Sequence, residues 1–225
     1  MRRREKIDKY LKLGIVASLL TICLAEMPIG WVKRPIEEGG MMAAVLSASG
    51  ISYQQMAMGV FFGAIGISLQ HYGYDAIALF LDENHCSTGA FWVRLGAKAV
   101  AYLGASAHCL CIALMFIVKM EVERATFIQL PDSIMQFGIW LLLPVYGLFF
   151  ILFICMCVAL ALVVIREKTS LPKWAIAVNP LLVQILSPVF FILPNVAIVN
   201  SLQMALMGIG SLWTFAGFQF LLRSH

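Results

Sequence analysis

His71 and Asp75 stand four residues apart, a spacing that puts both on one face of a helix and lets the carboxylate orient the imidazole. Gln70 precedes them. Glu26, His108 and Asn179 complete a set of polar groups placed inside otherwise apolar stretches. Three chemistries fit these residue types. The first is a polar cavity that binds or moves a small or lipidic ligand. The second is an open N/O zinc site of His71, Asp75 and His108, whose bound water would attack a lipid. The third is a set of single interhelical hydrogen bonds that specify packing. The chain has no HExxH, no GxSxG, no phosphate-binding glycine loop and no dinucleotide fingerprint, so no catalytic residue, metal or cofactor is assigned. The ligand-binding set is Glu26, Gln70, His71, Asp75, His108 and Asn179. A lipid-modifying enzyme or a structural subunit of a membrane complex are the alternatives.

The elements that carry these groups are long and apolar. The chain has 225 residues, 61% of them hydrophobic and 12% charged, with a mean hydropathy of +0.90. Soluble domains carry roughly a quarter charged residues, so the expected solvent is a bilayer. The fold expected is all-α: one polytopic membrane bundle over residues 1–225, with spans at about 13–31, 57–81, 95–118, 135–165, 174–193 and 196–222. No loop between them is long enough for a separate catalytic or receptor domain.

Charge placement supplies the orientation. Six of the sixteen basic residues lie in the first twelve positions, a topology signal and not a nucleic-acid surface. With the N-terminus inside, twelve Lys and Arg fall on the cytoplasmic side, while only Lys33, Arg34, Lys119 and Arg124 fall opposite. This predicts a multi-pass protein of a bacterial-type cell membrane with both termini cytoplasmic. The first apolar run lacks an A-x-A cleavage site and reads as a retained helix. The bilayer and a small-molecule or lipid ligand are the expected partners; nucleic acid is not, and an oligomer is allowed.

Within the spans, Gly59, Gly63, Gly66, Gln70 and Gly73 form a small-residue stripe that calls for close helix contact. Ala97, Ala101, Gly104 and His108 form a second stripe, and Gly210, Thr214 and Gly217 a third. Counting helix rise from the span ends places Asp75 roughly 9 Å deep, His71 about 15 Å, Lys98 ~5 Å, and Glu26 and His108 both roughly 20 Å. Two polar layers follow, with Lys98 able to snorkel toward Asp75 and Gln184, Gln203 and Tyr72 available from neighbouring helices. Ser87 or Thr88, and Asp132, are expected N-caps, and residues 41–49 an interfacial piece. Pro180 and Pro188 interrupt the fifth span. The six cysteines imply no disulfide framework, since five of them lie inside spans. The pairs Cys109 with Cys111 and Cys155 with Cys157 point about 200° apart on a helix and cannot share one ion.

The glycine-rich second span, Gly59 to Gly73, followed by a third span with Ala107 and His108 at mid-membrane, resembles the layout of small uncharacterised six-helix bacterial membrane proteins. The resemblance covers most of the chain. It implies a six-helix bundle and brings no activity and no functional residues with it.

Overall fold

The computed structural model describes residues 3–33, 47–124, 132–166 and 169–223. Of the expected interfacial piece at 41–49, residues 41–46 lie outside these, as do Arg2, Arg34 and Lys168 of the charge count. Among the described residues every element is helical and none is a strand.

Helix α1 spans Arg3–Gly30, starting ten residues before the expected span. An Asp8–Lys12 pair at 2.6 Å supports its first turns. A π-helical turn occupies Thr21–Glu26. Helix α2 spans Tyr53–Glu83, roughly 46 Å at 1.5 Å per residue. Its start is fixed by a capping box: the Ser52 N–H donates to Gln55 Oε1 at 2.7 Å, and the Gln55 N–H donates to Ser52 Oγ at 3.2 Å. His85, at φ 57° in the left-handed region, turns the chain into α3, Ser87–Glu123. The residue at the N-cap of α3 is Cys86, with no side-chain cap bond. Ser87, expected there together with Thr88, is already the first helical residue. A second π turn, Val100–Gly104, interrupts α3.

Helix α4 spans Ile134–Ile165. Asp132 opens the helical segment Asp132–Phe137 that leads into it, where a carboxylate in the first turn suits the helix dipole. The expected fifth span is no continuous helix. It consists of a 3₁₀ turn at Lys173–Val178, the short helix α5 at Pro180–Gln184, and a second 3₁₀ turn at Ser187–Phe191. Pro180 and Pro188 lack the amide hydrogens a longer helix needs. The expected sixth span is α6, Ala197–Met204, and α7, Leu206–Arg223, bent by 60° at the break between them.

By length and composition α1, α3 and α4 are each able to cross a membrane, and the bent pair α6 and α7 makes a fourth if taken as one crossing. Helix α2 is long enough but is not in that group, since Gln70, His71 and Asp75 lower its hydropathy. The fold is therefore all-helical with three to four candidate crossings.

The glycine stripe of α2 sets the packing. A Cβ on Gly66 would strike Thr21 of α1, one on Gly63 would strike the His108 ring of α3, and one on Gly73 would lie 2.5 Å from Phe215 of α7. Helix α2 is thus surrounded by α1, α3 and α7. Against α7 lies the broken stretch, with Thr214 Oγ1 2.8 Å from the carbonyl oxygens of both Val178 and Gly210. Tyr74, Phe153, Phe215 and Phe218 fill the core, and the Tyr74 and Ser211 hydroxyls meet at 2.9 Å.

Candidate functional site

The six expected ligand-binding residues divide among three places. Glu26, Gln70 and His108 line a central cavity of about 590 Å3. His71 and Asp75 line a separate cavity of about 350 Å3 near the basic end of α1. Asn179 lines neither of these cavities.

The central cavity is walled by Tyr146, Phe149, Phe150 and Phe153 of α4 on one side and by Gln184, Gln203 and Ser211 on another. Gln70 Nε2 donates to Thr21 Oγ1 at 3.2 Å, and the Thr21 hydroxyl donates back along α1 to the Ala17 carbonyl at 3.0 Å. His108 Nε2 lies 3.1 Å from the Gly59 carbonyl oxygen. A carbonyl only accepts, so Nε2 carries the hydrogen and Nδ1 of the neutral ring keeps its lone pair. Gln184 Nε2 donates to the Leu206 carbonyl at 3.0 Å.

Glu26 is different. It closes the π turn of α1 and is only 7% exposed, yet its Oε2 has no hydrogen-bond partner. Gly208 allows the carboxyl to sit there, because a Cβ at that position would lie 2.6 Å from Oε2. Buried polar atoms are nearly always paired, and an unpaired one in an apolar interior costs several kcal/mol.

In the smaller cavity His71 and Asp75 face Lys6 and Tyr10 of α1 and Arg94, Lys98 and Tyr102 of α3. His71 Nδ1 lies 2.6 Å from the Ser68 carbonyl oxygen and so carries the hydrogen. Lys98 and Asp75, expected to pair, line one cavity but form no ion pair. Arg94 is held by Asp82. Tyr72 stacks on His71, with ring centroids 4.0 Å apart, and Tyr10 meets Tyr72 edge-on.

Asn179 does structural work. Its Oδ1 accepts from the Leu181 N–H at 3.0 Å, which caps α5, and its Nδ2 donates to the Cys157 carbonyl at 2.8 Å. His108 and the His71–Asp75 pair line different cavities, so the three weighed as zinc ligands do not converge. Among the described residues no three His, Cys, Asp or Glu side chains gather into a metal site.

Sequence reasoning missed Thr21, Gly208, Lys6 and Arg94. The first two look like ordinary packing residues in a linear reading, and the last two like topology signals at helix ends.

No curated protein and no solved structure matches the chain. The whole chain, residues 1–225, matches the model of a family of unknown function (DUF6796), and the protein belongs to that family.

Proposed function

We propose that this protein is a multi-pass membrane protein whose central cavity binds an amphiphilic ligand through Glu26. The observation that carries the reading is the unpartnered Oε2 of Glu26 on the wall of a cavity of about 590 Å3. A buried carboxyl oxygen left without a partner calls for a hydrogen-bond donor or a cation. Much of the remaining lining is apolar, with the rings of Phe149, Phe150 and Phe153 beside Ile67, Val100 and Met207, which suits an apolar body. The ligand class is therefore a hydrocarbon or ring system ending in an amine or another donor. Gln70 and His108 shape the polar end of the cavity, and Phe149, Phe150 and Phe153 receive the apolar part.

The test is thermal unfolding of the purified chain in lipid nanodiscs with dodecylamine, dodecanol or dodecanoate added. Dodecylamine raises the wild-type midpoint by a few degrees, as expected for a ligand at well above its Kd. Glu26→Gln keeps the shape of the side chain but supplies its own donor, so its midpoint no longer responds to the amine. Equal stabilisation by all three probes, or an undiminished response in Glu26→Gln, refutes the reading.

A further inference from the structure

The smaller cavity has a chemistry of its own, independent of the central one. Lys6 of α1 and Arg94 and Lys98 of α3 set three positive charges around about 350 Å3, against the single carboxylate of Asp75. With His71 neutral, the lining carries a net charge of +2 (three cations less one anion). Arg94 is already fixed by Asp82. Lys6 is steadied differently, with Nζ 5.2 Å over the ring of Tyr10. Neither Lys6 nor Lys98 is paired with a carboxylate among the described residues, although Asp75 shares their cavity. Opposed charges that face a common space without closing on each other leave room for a group between them.

The remaining lining groups narrow the ligand. His71 spends its Nδ1 hydrogen on the Ser68 carbonyl, so Nε2 is an acceptor. Asp75 is a second acceptor. An anion that brings hydroxyl donors of its own satisfies both the cations and these acceptors. Tyr102, 72% exposed, stands at the rim, and an aromatic ring with a polar tip suits the level of lipid headgroups.

We propose that this cavity binds a phosphate-bearing group with an adjacent hydroxyl, the phosphate seated against Lys6, Lys98 and Arg94. The same chemistry is offered by the headgroup of an anionic glycerophospholipid and by a soluble glycerol phosphate.

The test uses the full chain in a neutral detergent, with thermal unfolding followed against short-chain phosphatidylglycerol, short-chain phosphatidylcholine and glycerol 3-phosphate. Phosphatidylglycerol raises the midpoint in a saturable way and phosphatidylcholine does not. Lys6→Gln and Lys98→Gln each weaken the apparent affinity by about fivefold, the effect of one cation near a headgroup. Lys9→Gln, on the same helix as Lys6 but outside the cavity, leaves it unchanged. If glycerol 3-phosphate competes fully, the natural ligand is soluble; if only the lipid binds, the ligand is a headgroup. Either result supports a phosphate site. The proposal is overturned if neither phosphatidylglycerol nor glycerol 3-phosphate binds, if phosphatidylcholine binds as tightly, or if Lys9→Gln costs as much as Lys98→Gln.

Discussion

Arg223 Nη2 lies 3.8 Å from Asp8 Oδ1, which brings the last turn of α7 to the first turns of α1. Gln219 strengthens the junction by donating to the same Asp8 oxygen at 3.1 Å. The two ends of the chain thus share one end of the bundle.

The expected consequence is that both termini lie on one face of the membrane, the cytoplasmic one by the distribution of Lys and Arg. Epitope tags at residue 1 and at residue 225 should be equally accessible to protease in inside-out vesicles and equally protected in intact cells. Tags on opposite faces would mean an odd number of crossings and would show that the junction of Asp8 with Arg223 does not form in the membrane.

His108 and Gly63 give a second prediction. The imidazole is tied to the Gly59 carbonyl at 3.1 Å and occupies the space a Cβ on Gly63 would need. Gly63→Ala must break that hydrogen bond or separate α2 from α3, at a cost of about 1–3 kcal/mol from overpacking. Gly147→Ala on α4, where a Cβ meets nothing within 4 Å, should be neutral or slightly stabilising. Unfolding in mixed micelles at increasing denaturing detergent should rank the variants in that order; equal midpoints would show that the ring moves freely.

The bond from Gln70 to Thr21 calls for a double-mutant cycle. Gln70→Leu and Thr21→Val should each destabilise the protein, with a coupling energy of about 0.6 kcal/mol between them, the average for an interhelical side-chain hydrogen bond in a membrane protein. Strict additivity would mean that the bond contributes nothing to the packing of α1 against α2.

Part of this could be read from the linear chain, and the reasons differ residue by residue. The glycine stripe was legible because small residues at helical spacing can only serve close contact, and each of its glycines is indeed buried. The estimated depths separated His71 and Asp75 from Glu26 and His108, and the structure places the two groups in two cavities. Asn179 in an apolar stretch reads as a ligand group, but an Asn followed by Pro at a helix start is also a cap signal, and capping is what its side chain does. The break at 173–191 was visible as two prolines, but hydropathy alone counts the stretch as a crossing. Lys6 and Arg94 stayed hidden because a cation at a helix end is explained by topology before it suggests a ligand.

The π turn at Thr21–Glu26 left no signature in the sequence, yet it governs which atom faces the central cavity. Such a turn holds one residue more than an α-helical turn, and this geometry is often found at functional sites. Removing a single residue from Ile22–Ala25 would let the segment relax to an ordinary α-helical turn, with Glu26 kept near its station because only the surplus residue is lost. The same deletion one turn earlier or later has no surplus to draw on and would rotate all that follows by about 100°. The first helix thus carries one residue of slack, placed directly before its buried acid.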